Sequence, residues 1–299
     1  MDEKNAEMID NIADETAANS KPAAGLYLCA TPIGNMGDVT ERVLRTLSAA
    51  DAIFCEDTRN SGAMLSRLGI KKRLESCHEH NEEAAAKRIT ELIREGRVVA
   101  YVSDAGMPCI SDPGERLVRA CIENELPFTV LPGASASLTA AILSGLPTKR
   151  IYFNGFLPRE NRERAECIAE LKKVSATIVI YESPYRVADT LRELSGCLGD
   201  RRAAVSREIT KLYEETARGT LSSLAEKYAE RPPKGECVIT VSGEAPAEAP
   251  AEDLDTVLRR LLNDGMSVKD AAKQAALITD VPKGEAYRRA TELRQRDGE

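Results

Sequence analysis

Short runs of apolar and β-branched residues alternate with amphipathic stretches in the first half of the chain. Four of these runs predict strands: LYLCA (26–30), AIFCE (52–56), RVVAYVSD (97–104) and PFTVL (127–131). Between the second and third runs, NEEAAAKRITELIREG (81–96) places its apolar residues on one helical face and ends at a glycine. This alternation predicts an α/β domain with a mainly parallel sheet.

A second series of strands follows. The runs are RIYFNGF (150–156), ATIVIYES (176–183), RAAVSRE (202–208) and ECVITVSG (236–243). Helical patterns at Arg162–Lys173 and Pro184–Leu198 lie between them. Strand–helix–strand units are fewer here than in the first half, which is compatible with a mixed sheet.

The two ends of the chain lack the strand pattern. Residues 1–24 are acidic and show no periodic pattern of apolar residues. The segment EAPAEAPAED (244–253) has the composition of a semi-rigid linker. The residues after it show short helices separated in helix-turn-helix fashion, with Ser267 and Asp280 as N-caps. The predicted organisation is a mobile leader (1–24), an N-terminal α/β domain (25–145), a C-terminal α/β domain (146–243), a linker (244–253) and a helical tail (254–299).

Composition narrows the class of protein. The chain has 299 residues, and neither a long apolar run nor a basic, apolar N-terminus is present, so we expect a cytoplasmic protein without a membrane partner. Eight scattered cysteines without a CxxC pair indicate reduced, mostly buried thiols. A net charge of −7 excludes a wholly basic surface and leaves a local basic face.

A glycine-containing loop follows the first strand. TPIGNMGD (31–38) leads into a helix that Asp38 or Thr40 caps. Ligands of open α/β sheets bind where such loops and helix N-termini converge. The loop has neither the GxGxxG pattern of dinucleotide sites nor a P-loop sequence. An ordinary strand-to-helix turn remains the competing interpretation.

Two further strand ends carry distinctive loops. SDAGMPCISDPG (103–114) holds two Asp, two Gly and two Pro before a helix that starts near Glu115, which is more than a simple connection requires. LPGASAS (131–137) consists of small residues that permit close approach of a ligand to the backbone. Three such loops at one sheet edge predict a site for a small polar ligand.

Eight segments, taken together and in this order, are similar to those of one known family. They are TPIGNMGD (31–38), EDTR (56–59), HEHNE (78–82), SDAGMPCISDPG (103–114), LPGAS (131–135), FNGFLPR (153–159), YESPYR (181–186) and REITKLYEE (207–215). The chain resembles the tetrapyrrole methylase-like S-adenosylmethionine methyltransferases, and within them the ribosomal RNA small-subunit methyltransferase I group. The resemblance implies a cytoplasmic homodimer that uses S-adenosylmethionine to methylate the ribose 2′-hydroxyl of a cytidine in the decoding region of 16S rRNA, within the small ribosomal subunit.

The resemblance also implies a cofactor cleft between the two α/β domains. Its expected walls are Pro32, Gly34, Asp104, Ala105, Gly106, Gly133, Ala134, Ser135, Ala136 and Tyr181, with Asp104 as the foremost hydrogen-bond acceptor. The chain departs from the family pattern twice: Ala134 replaces a proline, and Tyr185 replaces a histidine. An imidazole base at position 185 is therefore excluded.

Methyl transfer from a sulfonium needs proximity and alignment, and no metal. A ribose hydroxyl also needs a base or a nearby cation. Candidates in the family-like motifs are His78, Glu79, His80, Glu182, Arg207, Glu208 and Lys211, of which the last four are the predicted catalytic residues. A metal site at the two histidines is disfavoured against a hydrogen-bonding or substrate-facing role, because no second ligand cluster accompanies them. For Glu182 and Glu208, an ion pair between domains is the alternative.

The second domain is locally basic. Between Gly145 and Leu212 there are 13 Lys and Arg against 9 Asp and Glu. The predicted RNA contacts are Lys149, Arg150, Arg159, Arg162, Arg164 and Arg186, together with Arg207 and Lys211. Each could equally be a solvated surface charge, so the prediction concerns the patch. In the tail, a basic helical face and a helix docking on the body or on a dimer partner are both open.

Two other functions remain as alternatives. One is a methyltransferase acting on a tetrapyrrole precursor, and the other is a non-catalytic protein that binds RNA in response to S-adenosylmethionine. The arginine-rich segment at 153–164 and the helical tail favour a macromolecular substrate.

Overall fold

The computed structural model describes residues 22–244, 253–279 and 281–296. Most of the predicted leader and linker, and the predicted cap Asp280, lie outside these residues. The chain divides into two compact units, one ending at Gly243 and the other starting at Glu244. The first unit contains two five-stranded sheets, and we call each sheet with its helices a lobe.

The sheet of the first lobe is parallel throughout, as predicted. Its strands are β1 (Gly25–Cys29), β2 (Ala52–Cys55), β3 (Leu74–Ser76), β4 (Val98–Val102) and β5 (Phe128–Leu131), in the order β3-β2-β4-β1-β5. Sequence analysis missed β3, because this three-residue edge strand carries no apolar run. The carboxyl ends of β4, β1 and β5 adjoin, which brings three loops to one place.

Four helices cover this sheet, two on each face. They are α1 (Glu41–Ala49), α2 (Thr58–Arg67), α3 (Glu82–Arg94) and α4 (Glu115–Glu123). α1 and α2 pack on one face and α3 and α4 on the other, so every residue of β4 is buried. Thr40 caps α1 through its hydroxyl, which accepts a hydrogen bond from the Val43 N–H at 3.2 Å.

The sheet of the second lobe is mixed. Its strands are β6 (Ile151–Phe156), β7 (Thr177–Glu182), β8 (Arg202–Arg207), β9 (Glu215–Thr220) and β10 (Cys237–Val241), in the order β6-β7-β10-β8-β9. β6 and β7 are parallel, whereas β10 runs antiparallel to both β7 and β8. Sequence analysis missed β9, whose sequence ETARGT has no alternation of apolar residues.

Four helices pack on the second sheet. They are α5 (Ala136–Ser144), α6 (Asn161–Leu171), α7 (Val187–Leu198) and α8 (Leu221–Glu230). α6, α7 and α8 form the larger core on one face, while Ala140 and Ala141 of α5 are buried against Val179 and Val238 on the other. The predicted domain boundary after residue 145 assigns α5 to the first domain, but its apolar contacts are with the second sheet.

The second unit consists of three described helices, α9 (Leu254–Asn263), α10 (Val268–Thr279) and α11 (Lys283–Arg296). Leucines of α9 and alanines of α10 and α11 form its core. Ser267 caps α10 as predicted, accepting a hydrogen bond from the Asp270 N–H at 3.1 Å. Arg289 of α11 forms an ion pair with Asp255 of α9, which connects the last helix of the unit to the first.

The eight cysteines all lie in the described part of the chain, and each is a free thiol. Five of them are buried, in agreement with the prediction of reduced, core-filling thiols. Among the described helices, none is both long and apolar enough to cross a membrane.

The central strand β10 provides a test of the second core. Ile239 is fully buried and lies between Ile180 of β7 and Val205 of β8. We expect Ile239→Ala to lower the free energy of unfolding by about 2–5 kcal/mol, and the control Ile239→Val by about 1 kcal/mol, because the cavity left by alanine is larger. Equilibrium urea unfolding measures both, and equal losses would contradict this packing.

Candidate functional site

The three loops singled out in the sequence lie together. The Thr31 N–H donates to the Gly106 carbonyl at 2.8 Å, and the Gly106 N–H donates to the Thr31 carbonyl at 3.1 Å. A Cβ atom on Gly133 would lie 2.7 Å from the Cβ of Ala30, and one on Gly106 would lie 3.6 Å from the Ala134 carbonyl oxygen. The first loop therefore contacts the second directly, and the third lies against both.

The second lobe supplies the opposite wall. Because β10 is antiparallel to β7, Cys237 at the start of β10 lies beside Glu182 at the end of β7. Between the lobes is a cavity of about 330 Å³, within the range of small-molecule sites. Its lining consists of Ile33, Ala105, Gly106, Met107, Ile110, Ser111, Asp112, Ser135, Ala136, Phe156, Tyr181, Glu182, Ser183, Pro184, Gly235, Glu236, Cys237 and Val238.

The structure brings half of the predicted cofactor residues to this cavity. Ala105, Gly106, Ser135, Ala136 and Tyr181 line it. The others, which are Pro32, Gly34, Asp104, Gly133 and Ala134, are not part of the lining.

Two of the residues outside the lining have contacts that explain their position. A Cβ atom on Gly34 would lie 2.4 Å from the Lys211 Cγ, so Gly34 lets the Lys211 side chain pass. Asp104 accepts hydrogen bonds from the Asp57 N–H at 3.3 Å and from Asn60 Nδ2 at 2.8 Å. Asp104 thus holds the start of α2, and its role as the foremost hydrogen-bond acceptor for the cofactor stays a prediction.

Several lining residues were not predicted. Met107, Ile110, Ser111 and Asp112 belong to the long loop that the sequence had already indicated as a ligand loop. Residues 235–238 comprise the two residues before β10 and its first two residues, and the antiparallel register of that strand brings them to the cavity. Phe156 lies 5.6 Å from Tyr181, ring centre to ring centre, in an edge-to-face arrangement.

The lining suits a ligand with an aromatic ring and a positive charge. Phe156, Tyr181, Ile33 and Val238 provide apolar surface, and the glycine at 106 lets the backbone border the cavity. Asp112 and Glu236 are acidic residues of the lining, which contains no Lys, Arg or His; Glu182 also borders the cavity, but its carboxylate is buried beside Thr190 and Arg164. Carboxylates without basic residues attract a cation and disfavour a phosphate.

Glu182 belongs to a buried ion-pair network. Its two carboxylate oxygens accept hydrogen bonds from the Ser183 N–H at 2.9 Å and from the Thr190 hydroxyl at 2.7 Å. Arg164 lies 3.8 Å from Glu182 and donates to Glu193 at 2.6 Å. The network fixes the end of β7 and opposes a role of Glu182 as a catalytic base. It is an ion pair within the second lobe, and not the pair between domains that was the alternative prediction.

This network also corrects one predicted RNA contact. The Arg164 side chain is only 8% exposed, and its guanidinium nitrogens are bonded to protein oxygens. The prediction that Arg164 contacts phosphate is wrong, because a buried and paired side chain does not reach RNA. Arg186 is half-buried and lies 3.6 Å from Glu182. Lys149, Arg150, Arg159 and Arg162 are exposed, and their contact with RNA stays a prediction.

The other predicted catalytic residues form charged pairs beside the cavity. Arg207 donates to Glu215 at 2.9 Å. Lys211 donates to Glu208 at 3.1 Å and to Glu236 at 3.0 Å. Burial opposes ionisation of Glu208, but the hydrogen bonds from Lys211 and from the Glu236 N–H outweigh it and lower the pKa of Glu208. Burial likewise opposes the charge of Lys211, and its two carboxylate partners outweigh it and raise the pKa of Lys211.

The lowered pKa of Glu208 and the raised pKa of Lys211 argue against proton transfer by either residue. At neutral pH Glu208 is ionised but is a weakened base, and Lys211 is a charged ammonium. The pair instead ties the segment after β8 to Glu236 in the cavity wall.

The two histidines are close to each other without forming a metal site. The rings of His78 and His80 are 6.0 Å apart in an edge-to-face arrangement. In the part of the chain that the structure describes, no cluster of His, Cys, Asp and Glu has the arrangement of a metal site. Glu79 and His80 are exposed, whereas the Nδ1 atom of His78 is buried without a hydrogen-bond partner.

Comparison with known proteins assigns the fold and the family. The family model described as Tetrapyrrole (Corrin/Porphyrin) Methylases matches residues 25–225, and that of the RsmI C-terminal HTH domain matches residues 248–294. Relatives named ribosomal RNA small subunit methyltransferase I are 44% identical in Halalkalibacterium halodurans, over 88% of this chain and 93% of theirs, and 45% identical in Mesorhizobium japonicum, over 92% and 94%. The chain belongs to the tetrapyrrole methylase family, in the ribosomal RNA small subunit methyltransferase I branch.

Two solved structures have a similar fold. The uroporphyrin-III-C-methyltransferase of Thermus thermophilus has a TM-score of 0.54 at 21% identity, and covers 73% of this chain and 94% of its own. A diphthine synthase has a TM-score of 0.58 at 15% identity, over 73% and 89%. These likenesses show that this chain shares its fold with both proteins.

S-adenosylmethionine is the cofactor of this methylase. The cavity fits it on three observations of the structure: its volume, its aromatic and apolar wall, and its carboxylates without a basic residue. The cofactor carries an adenine ring and a sulfonium, so Phe156 and Tyr181 would border the ring and the carboxylates would face the positive charge. The backbone at Ala105–Met107 would border the rest of the molecule.

The buried network beneath the cavity gives a paired test. We expect Arg164→Met to lower the free energy of unfolding by about 3–5 kcal/mol, because Glu182 is left as a buried carboxylate without this partner. Arg162→Met, two residues earlier with a side chain 91% exposed, should change it by less than about 0.5 kcal/mol. Urea unfolding of both variants measures the difference, and an Arg164→Met variant as stable as Arg162→Met would refute the network.

Proposed function

We propose that this protein transfers a methyl group from S-adenosylmethionine to the ribose 2′-hydroxyl of a cytidine in the decoding region of 16S rRNA, within the small ribosomal subunit in the cytoplasm. The observation that carries this function is the alignment with relatives named ribosomal RNA small subunit methyltransferase I along 88% of this chain and 93% of theirs. Both the two-lobed unit and the helical unit have counterparts in family models.

The cofactor supplies a methyl group bound to a positively charged sulfur. The residues of this chain bind it, exclude water and align the acceptor, which are the contributions that an in-line displacement needs. Ile33, Ile110 and Val238 make the cavity apolar around its carboxylates. Charges in such a water-poor space interact more strongly than they would in solution.

Exposed aromatic rings near the cavity and exposed cations on the second lobe support an RNA substrate. Phe156 lines the cavity and is 60% exposed, and Tyr185, next to the lining residue Pro184, is 89% exposed. Proteins that recognise RNA sequences stack unpaired bases on such aromatic rings. The exposed Lys149, Arg150, Arg159 and Arg162 supply the phosphate contacts that make affinity depend on salt.

The substrate is tested by offering competing acceptors. Tritiated S-adenosylmethionine is incubated with the protein and with small ribosomal subunits from a strain lacking the gene, with naked 16S rRNA, or with a tetrapyrrole precursor. We expect label in the RNA of the subunits and a 2′-O-methylcytidine on nuclease digestion, because the exposed cations and rings suit structured RNA. Mass spectrometry of the rRNA then locates the nucleotide.

The same assay separates the two alternatives. Label in the tetrapyrrole alone would contradict an RNA substrate. Cofactor binding by calorimetry with no methylated nucleotide on any RNA would favour the non-catalytic RNA-binding protein.

The predicted homodimer is part of this proposal, and an uncharged segment supports it. No charged residue occurs from Leu126 to Thr148, although 30% of the chain is charged. This segment contains the edge strand β5 and helix α5, and four of its large apolar side chains are exposed: Phe128, Val130, Leu138 and Ile142. Exposed apolar edges of this kind are usually covered in folded proteins. A second copy brings an identical, uncharged surface.

The dimer is tested on α5. Ile142 is 72% exposed, and we expect Ile142→Asp to convert a dimer to monomers, because the new charge would be buried between two copies. Ile122→Asp, on α4 at 61% exposure, is the control and should stay dimeric. Light scattering coupled to size-exclusion chromatography gives the mass, and a monomeric wild type or a dimer insensitive to Ile142→Asp would contradict this interface.

A further inference from the structure

Buried polar atoms without a hydrogen-bond partner gather at the carboxyl end of the first sheet. Among the described residues they include Glu56 Oε2 after β2, His78 Nδ1 after β3, Ser103 Oγ after β4 and Ser61 Oγ on α2. Ser103 is 1% exposed. Buried polar groups in folded proteins are nearly always hydrogen-bonded, so this end of the sheet has hydrogen-bonding capacity that its own contacts leave largely unused.

Asp112 lies between this group of atoms and the cofactor cavity. Asp112 is a residue of the cavity lining, and Ser103 and Glu56 interact with its carboxylate. It follows Cys109 and Ser111, two residues other than glycine that have positive φ angles of 68° and 63°. Such backbone costs about 1–3 kcal/mol per residue and persists at functional sites, where surrounding contacts enforce it.

Asp112 differs from the other two carboxylates of the cavity. Glu182 lies within ion-pair distance of Arg164 and Arg186, and Glu236 is bound by Lys211. No cation of the described residues forms an ion pair with Asp112. Its lone pairs therefore remain available to a ligand in the cavity.

Burial, and then the charges of Glu56 and Asp104, raise the pKa of Asp112 to about 6, and the Ser103 hydroxyl offsets part of this rise. The other titratable groups that interact with it, Tyr101, Cys109 and Tyr181, have raised pKa values and are neutral at physiological pH. Glu182 and Glu236 line the same cavity. Asp112 is thus mostly ionised at neutral pH and more basic than an ordinary aspartate, as proton acceptors in enzymes are.

On the basis of the proposed function, we propose that the Asp112 carboxylate is the catalytic base that accepts the proton of the methylated ribose hydroxyl. The oxygen forms a bond to the methyl carbon, the carbon–sulfur bond breaks, and its electron pair stays on sulfur. The hydroxyl proton passes to Asp112 and then to solvent. Glu56 and Ser103 act through Asp112 as positioning residues.

The charge balance of the reaction favours this assignment. A negative carboxylate and a positive sulfonium enter the reaction, and a neutral carboxylic acid and a neutral thioether leave it. Opposite charges that disappear together require little reorganisation in a water-poor cavity. The pair Glu208 and Lys211 lacks this property, because each member keeps its charge through hydrogen bonds to the other.

The first experiment compares Asp112→Asn with Glu115→Gln. Glu115 is three residues further on, its side chain is 77% exposed and its partner is Arg119 on the surface. On small ribosomal subunits we expect kcat of Asp112→Asn to fall by at least about 100-fold, as for loss of a general base, and that of Glu115→Gln to stay at the wild-type value. Calorimetry with S-adenosylmethionine should show a loss of affinity in Asp112→Asn that is far smaller than its loss of kcat, and a dissociation constant for Glu115→Gln within about threefold of wild type.

Three results would overturn the assignment. If Asp112→Asn kept a kcat near that of wild type, Asp112 would not be the catalytic base. A loss of cofactor affinity as large as the loss of rate makes Asp112 a counter-charge for the sulfonium instead. A wild type that methylates no RNA overturns the proposed function and this inference together, whereas an active wild type with an equally active Asp112→Asn overturns the inference alone.

The second experiment reads the influence of Glu56 on the pH profile. The wild-type single-turnover rate should rise with pH about a midpoint near 6, as Asp112 loses its proton. Glu56→Gln removes a negative charge that raises the pKa of Asp112, so the midpoint should move to lower pH while the rate at high pH is retained. A variant that lowers the rate without moving the midpoint would show that Glu56 is merely structural.

The third readout is stability, which needs no substrate. Because the folded-state pKa of Asp112 is above its unfolded value of 3.8, the folded protein binds the proton more tightly and loses stability as pH rises from about 4 to 6. Asp112→Asn should therefore melt at a higher temperature than wild type at pH 8, and the difference should vanish near pH 4. If Asp112→Asn melted at the same temperature as wild type at pH 8, or at a lower one, the charged Asp112 carboxylate would not destabilise the folded protein.

Discussion

The short loop after β1 keeps the two walls of the cavity at a fixed separation. Thr31 exchanges two backbone hydrogen bonds with Gly106, which anchors the loop to the long loop after β4. Two residues later, Ile33 is buried against Val179 and Val238 of the second sheet. The backbone bonds tie this loop to the first lobe and the apolar contact ties it to the second, so the loop joins the two walls of the cavity. Gly34 continues the contact by accommodating the Lys211 side chain.

The acidic residues of the cavity are of two kinds: those paired with a cation of the protein, and one that has no such partner among the described residues. Arg164 and Lys211 neutralise Glu182 and Glu236, and thereby hold the second wall in place. Asp112 has no such partner among the described residues, and its neighbours Glu56 and Asp104 increase the cost of its charge. Stability is reduced at this point, as is common where a protein keeps a reactive group unpaired.

The sequence predicts the parallel sheet and the three loops well, because both depend on local patterns: apolar runs, and glycine, proline and serine after them. It does not predict which loop residues face the cavity. That depends on the antiparallel register of β10, a pairing between residues more than fifty positions apart, as between Glu182 and Cys237. Arg164 illustrates the same limit, since a charged residue in a polar helix resembles a surface residue until its partners Thr190 and Glu193 are known.

The acidic total charge and an RNA substrate are compatible because the charges are separated in space. The cavity has only carboxylates, whereas Lys149, Arg150, Arg159 and Arg162 are exposed on the second lobe. Phosphates are attracted to these cations. In the cavity, Arg164 and Lys211 neutralise Glu182 and Glu236, so the charge left to attract a sulfonium is that of Asp112. The cations that attract RNA and the carboxylate that attracts the cofactor thus belong to different lobes, and a net charge of −7 prevents neither contact.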